Sequence, residues 1–177
     1  MVGGSNNFLT QAKAVVGASR KPVQVKVELG GNDICNRTST ATMYTDAQWS
    51  SAVRAGLDLL TQRLPDGSSV VLVGVPKVQD LYGVGVAKSA GSQGVDCPSF
   101  WKSYDVCQIA TLNETMGGET LEQRISKITE RQVRYNQILA EEAATYNSVA
   151  AQTRVEVVAE TDGFGATPEV GSYSFLT

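Results

Sequence analysis

The sequence predicts an α/β protein in which helices cover a parallel β-sheet. Segments with apolar residues at helical spacing alternate with strand-like segments, in the order helix, strand, helix, strand, loop, helix, strand. The unbroken apolar run at 70–73 is typical of a parallel strand that is covered on both faces. The long segments between the strands favour right-handed helical crossovers rather than hairpins.

The first two elements are an amphipathic helix and a half-exposed strand. Apolar residues at helical spacing predict a helix over 8–16, with Ser5 or Asn6 as its N-cap. Residues 23–29 alternate strictly between apolar and polar, which predicts a strand with one wetter face. This strand ends abruptly at the Gly-Gly-Asn-Asp segment 30–33.

The next elements follow the same logic. Thr45 or Asp46 is expected to cap a helix that runs to about residue 64, before a Pro-Asp-Gly turn. A strand is predicted at 69–75. Residues 76–118 are rich in Gly, Ser and Asp, and they are predicted to form a long irregular region of the kind that serves a site.

The last predicted elements are a long helix and a third strand. Apolar spacing predicts helix over 119–150, with one break expected where charged residues crowd 127–134. Residues 154–160 are interpreted as the third strand. A chain of 177 residues fits one domain, 1–177, because it is long enough to bury a substantial core.

Composition and charge exclude several classes of partner. The chain is 42% hydrophobic and 19% charged, as expected for a globular protein. A net charge of -3 without a basic stripe argues against nucleic-acid binding. No apolar stretch approaches the ~20 residues of a membrane span, and the first residues lack a signal-peptide pattern. Small or neutral partners are therefore expected.

The cysteines leave two interpretations open. The chain has 3 cysteines and 0 histidines, without a CxxC spacing, so a zinc site of the usual Cys/His type is not expected. In a secreted protein, Cys97 and Cys107 are the disulfide candidate, and Cys35 would pair outside this chain. In a reducing compartment all three would be buried free thiols.

The Gly-Gly-Asn-Asp segment is the leading candidate site. In open parallel sheets, ligands bind at the carboxyl ends of strands, where this segment lies. The glycines, Gly31 among them, let the backbone approach a substrate, while the Asn32 amide can donate to a developing oxyanion. The alternative is a strand-to-helix turn made of ordinary turn-forming residues.

The flanks of this segment carry a family resemblance. Residues 25–36, Val-Lys-Val-Glu-Leu-Gly-Gly-Asn-Asp-Ile-Cys-Asn, resemble the third sequence block of SGNH (GDSL-type) hydrolases, in particular the phospholipase B-like and lipase-like branch. Residues 73–76 with 80–82 are similar to the family's strand-to-loop segment, and 135–139 to its final long helix. Residues 2–12 look like the second block.

The resemblance implies a fold and a chemistry. The implied fold is a three-layer α/β/α parallel sheet of flavodoxin-like topology, here incomplete. The implied activity is hydrolysis of acyl esters, lipid esters included, without metal or organic cofactor. Asn32 would be one oxyanion-hole donor and the backbone N–H of Gly4 the other, with Gly3 as the neighbouring candidate. Extracellular or periplasmic location is implied for the full-length parent.

The same resemblance predicts that this chain does not run the reaction alone. The family's Gly-Asp-Ser nucleophile block and its Asp-x-x-His block have no counterpart in the sequence. Without histidine, a Ser-His mechanism cannot be assembled from this chain. A non-catalytic binding module derived from the fold is therefore the alternative function.

An aromatic patch at 100–104 is the second candidate site. Phe100 and Trp101, with Tyr104 nearby, can line an acyl pocket, because apolar walls suit lipid or ester substrates. The alternative is a small satellite core under a long loop. The patch is expected to pack locally if it has no ligand.

Overall fold

A three-stranded parallel sheet lies at the centre of the structure, a computed structural model that describes residues 7–91 and 94–161. The strands, in their order across the sheet, are β1 (Gln24–Glu28), β2 (Ser69–Val73) and β3 (Glu156–Glu160). Val27 lies opposite Leu72, and Leu72 lies opposite Ala159. The α/β class and the parallel sheet predicted from the sequence are confirmed.

Helices connect the strands and flank the sheet. Within the described ranges they are α1 (Phe8–Gly17), α2 (Gly31–Cys35), α3 (Asp46–Arg63), α4 (Leu81–Gly91), α5 (Cys97–Ser103), α6 (Gln108–Thr111) and α7 (Leu121–Thr153). Two short 3-10 helices, Thr40–Thr42 and Val78–Asp80, complete the elements. The carboxyl ends of β1 and β2 therefore lead into α2 and into the second 3-10 helix.

The helix starts follow from local capping. Asn7, one residue later than the predicted caps, accepts a hydrogen bond from the Thr10 amide at the start of α1. At the start of α3, Thr45 and Gln48 form a reciprocal capping box, and Thr45 is one of the two caps expected from the sequence. These side chains satisfy amide groups that would otherwise lack partners at a helix start.

The helices α1, α3 and α7 form one layer, in which α1 packs on α3 and α3 on α7. Gly56 of α3 makes the first contact close, because a Cβ there would overlap the Phe8 ring. Their inner faces share one core with the buried side of the sheet, including Ala12, Trp49, Leu57, Val70, Leu72, Tyr135, Leu139 and Val157. On the opposite face, Lys26 is exposed beside the partly buried Val71 and Val158.

The region 76–118 differs most from its prediction as an irregular loop, because it contains α4, α5 and α6. Gly85 lies inside α4, where a Cβ would overlap the Trp101 ring of α5. Small residues thus allow α4 and α5 to pack closely. In the sequence, the glycines of this region suggested an irregular loop instead. The break predicted in the last helix is also wrong, because α7 is continuous over 33 residues.

A buried arginine holds the segment between α6 and α7. Arg124 is fully buried, and its Nε donates to the Ile109 carbonyl at 2.8 Å. Its two Nη atoms donate to the carbonyls of Leu112, Glu114 and Glu119. Because these carbonyls are spread over the segment from Ile109 to Glu119, one guanidinium fixes its backbone. The described helices include no segment with the combined length and hydrophobicity of a membrane span.

Candidate functional site

The turn after β1 is held by a glycine that no other residue can replace without strain. Gly30 has φ of 97°, a region that favours glycine. A Cβ at this position would stand 2.6 Å from Val75 Cγ2 and 3.2 Å from the Trp49 ring. The backbone of the turn therefore lies directly on the segment that follows β2, at the carboxyl edge of the sheet.

This packing sets the direction of the next residues. Gly31 begins α2, and a Cβ there would lie 3.3 Å from Pro76 Cγ. Asn32, the second residue of the helix, is exposed, whereas Asp33 and Ile34 are buried beneath it. The structure thus places Asn32 at the carboxyl edge of β1, on the surface of the turn.

The disulfide of this structure is not the one predicted. Cys35 is bonded to Cys107, 72 residues away, and Cys97 is the free cysteine within the described residues. The short spacing of Cys97 and Cys107 suggested a local loop, but Cys97 is the first residue of α5, which packs its Trp101 inward. The observed bond joins the last residue of α2 to the residue before α6, so it ties the Gly-Gly-Asn-Asp turn to the region 97–111.

The two aromatic candidates lie in different environments. Trp101 is buried against Gly85 and Cys97. It forms the small satellite core that was the alternative interpretation of the sequence. Phe100 is 56% exposed, and its ring contacts the exposed ring of Tyr104 at 4.5 Å. The pair is available at the surface of α5, and its role in acyl binding stays a prediction.

A polar feature that sequence reasoning missed lies after β2. The 3-10 helix Val78–Asp80 contacts α2, α4, α6 and α7. In the described part of the chain, the buried Oε1 of Gln79 and the buried Oδ2 of Asp80 have no hydrogen-bond partner. Both atoms are acceptors, so a ligand or water that donates a hydrogen bond would satisfy them. A polar pair in the segment that follows the buried strand β2, which ends at Val73, is the signal that could have indicated this feature.

Two stacked aromatic rings lie beneath the turn. Trp49 and Tyr135 stack with ring centroids 4.1 Å apart, and the Tyr135 hydroxyl donates to the Tyr44 carbonyl at 3.0 Å. Burial raises the pKa of Tyr135 to about 12. Tyr135 is therefore a neutral supporting residue at physiological pH, and it is not a ready nucleophile or base.

Away from this turn, Thr40, Glu119 and Lys127 form a hydroxyl–carboxylate–ammonium arrangement. The Thr40 hydroxyl and the Lys127 ammonium both donate to Glu119 Oε1, and the Thr40 amide donates to Oε2 at 3.1 Å. The hydrogen bonds from Lys127 and Thr40 lower the pKa of Glu119 to about 2. A carboxylate with this pKa accepts protons poorly, so the arrangement ties the 3-10 helix Thr40–Thr42 to the start of α7 and does not activate the hydroxyl.

The site can present a hydrogen-bond donor at a sheet edge, but the described residues assemble no nucleophile and base beside it. Gly4, the predicted second oxyanion donor, lies outside the described residues. The sequence has no histidine, which removes the usual base for a serine. Compared with models of protein families and with curated proteins, the chain matches none of them.

Proposed function

We propose that this chain is an SGNH-type ester hydrolase domain that supplies oxyanion-hole donors and does not complete the reaction alone. The observation that supports it best is the turn after β1. There Gly30, at positive φ, brings the backbone onto Val75, and Asn32 is exposed at the carboxyl end of a parallel strand. This is where the family resemblance requires an amide donor.

The chemistry assigns a definite task to Asn32. Attack on an acyl ester places negative charge on the carbonyl oxygen, and a preorganised N–H donor stabilises that charge. Asn32 Nδ2 is the side-chain donor, and by resemblance the Gly4 amide is the second. The serine nucleophile and its base would come from outside this sequence, since the chain contains no histidine.

Substrate class and compartment follow as part of the same proposal. The exposed Phe100 and Tyr104 offer an apolar contact for the acyl part of an ester. The disulfide between Cys35 and Cys107 supports an oxidising, extracellular or periplasmic location, because such bonds persist there. No metal or organic cofactor belongs to this chemistry.

A non-catalytic binding module is the second candidate. It is favoured by the unpaired buried acceptors of Gln79 and Asp80, which would hold a ligand that donates hydrogen bonds. It also agrees with the low proton affinity of Glu119. A module of this kind would bind alcohol or amine groups without turnover.

The test observes the Asn32 side-chain amide by NMR while butylphosphonate is added. This anion mimics the tetrahedral oxyanion of ester hydrolysis, so saturable shifts of the Asn32 amide are expected. Asn32→Ala should abolish the phosphonate-dependent shifts of the neighbouring Gly31 and Asp33 backbone amides, whereas the exposed Asn113→Ala should keep them as in the parent. Hydrolysis of p-nitrophenyl butyrate by the chain should equal that of a boiled control.

Each contrary outcome has a distinct meaning. Saturable turnover that is lost in Asn32→Ala would show a complete active site and overturn the claim that the chain is incompetent alone. An Asn32 amide unmoved by phosphonate would overturn the oxyanion assignment. Shifts of the Gln79 side-chain amide with butanol, in the absence of a phosphonate effect, would favour the binding module.

A further inference from the structure

One edge of the sheet is open in the described structure. β1 pairs with β2 along residues 24–28, and none of the described residues pairs with its other edge. Val23, just before the strand, is 71% exposed, and Lys26 and Glu28 are exposed as well. A strand in this state presents backbone N–H and C=O groups to any extended chain that can reach it.

A groove runs along this open edge. Its walls are residues 25–29 of the edge and the side chains of Phe8, Gln11, Ala12 and Val15 on α1, with Leu60 of α3 behind them. The groove holds about 80 Å³. This is roughly half of the ~150 Å³ of a cavity that admits benzene, so it accommodates one small branched aliphatic side chain.

The width of the helical layer leaves room for a further strand. The helices α1, α3 and α7 lie side by side, and packed helices are ~8–10 Å apart. Neighbouring strands are only ~4.7–4.9 Å apart. Three helices side by side are therefore wider than three paired strands. The groove between α1 and β1 lies at the edge where the helical layer is the wider of the two.

We propose that this edge binds an extended peptide strand of a partner protein. The peptide backbone pairs with residues 25–29, and an inward valine fills the groove between β1 and α1. Its outward side chains meet Lys26 and Glu28, which share the exposed face of β1. The partner strand therefore carries one acidic and one basic residue, two positions apart, with apolar residues between and beside them.

Synthetic peptides test this proposal and distinguish the two strand directions. Gly-Val-Glu-Val-Lys-Val-Gly places opposite charges against Lys26 and Glu28 when it is parallel to β1. Gly-Val-Lys-Val-Glu-Val-Gly does so when it is antiparallel. The controls are a peptide with two lysines and one with a central proline, which removes a backbone donor. Fluorescence anisotropy gives the affinities, and hydrogen exchange reports protection of the Lys26 and Glu28 amides, which point away from β2.

We expect one mixed-charge peptide to bind at least about threefold more tightly than the two-lysine peptide, from cross-strand charge pairs. Proline should abolish binding. In Lys26→Glu, a surface change whose folding is checked by circular dichroism, the preference should shift to the two-lysine peptide. Absence of binding by every peptide at millimolar concentration, equal binding of all four, or binding without protection of the Lys26 and Glu28 amides would overturn the proposal.

Discussion

Gly30 and Val75 lie so close that the turn after β1 has no room for a side chain. An ideal Cβ on Gly30 would stand 2.6 Å from Val75 Cγ2, and the φ of Gly30 is 97°. The contact joins the carboxyl ends of β1 and β2, and it sets the start of α2, where Asn32 is exposed. The position of the candidate oxyanion donor thus depends on a contact between the segments that follow the two strands.

The Gly30 contact predicts a large difference between two glycine substitutions. Gly30→Ala should lower the free energy of unfolding by about 3 kcal/mol, from positive-φ strain together with overlap at Val75. Gly67 also has positive φ, 79°, but has no heavy atom within 4 Å of an added Cβ. Gly67→Ala should therefore cost only about 1 kcal/mol. Urea unfolding checks both variants, and equal costs would contradict the packing account.

The disulfide assignment predicts the thiol count. The oxidised, denatured chain should react with one equivalent of a thiol reagent, at Cys97, and the reduced chain with three. Replacing Cys35 and Cys107 together by serine should lower the free energy of unfolding by up to about 4 kcal/mol, because a 72-residue separation is no longer closed in the unfolded state. Cys97→Ser should change it little. A protected Cys97 would refute the assignment.

Arg124 predicts a severe loss for a conservative change. Arg124→Lys keeps the charge, but an ammonium cannot reach the four carbonyls that the guanidinium holds. A loss of about 3–5 kcal/mol in the free energy of unfolding is expected, measured by urea unfolding. Arg154 pairs with Asp66 on the surface, so Arg154→Lys should stay within about 0.5 kcal/mol. Similar losses in both variants would argue against the buried network.

Glu119 predicts an acid-dependent loss of stability. Its pKa in the folded chain is about 2, below the ordinary value of 4.5, because Lys127 and Thr40 donate to it. The stabilisation is therefore complete above pH 4.5 and is lost as the pH falls from about 4.5 to about 2. Its size is about 3 kcal/mol at most, and less if solvent around Lys127 screens the pair.

Unfolding measured between pH 2 and pH 7 in Glu119→Gln should show a smaller slope than the parent in this acid range. The exposed Glu122→Gln serves as the matched control and should keep the parental slope. An unchanged slope in Glu119→Gln would mean that the clamp with Thr40 and Lys127 contributes nothing to stability.

Much of the candidate site could be predicted from the sequence. Alternation over 23–29 and the apolar run at 70–73 placed two strands correctly, so the Gly-Gly-Asn-Asp turn was expected at the carboxyl edge, where Asn32 lies. The aromatic patch was expected as a unit, but the structure divides it into a buried Trp101 and an exposed Phe100. The segment that forms α5 is only 7 residues long, so its apolar spacing did not show which ring faces inward.

The sequence by itself determined the order and type of the main elements, because hydrophobic periodicity and capping are local properties of the chain. Only the tertiary structure decided that Cys35 bonds to Cys107, that Gly85 receives Trp101, and that Arg124 holds the segment before α7. Each of these depends on the distance between residues far apart in the chain. Spacing along a sequence does not contain that distance, since packing of the helices and the sheet sets it.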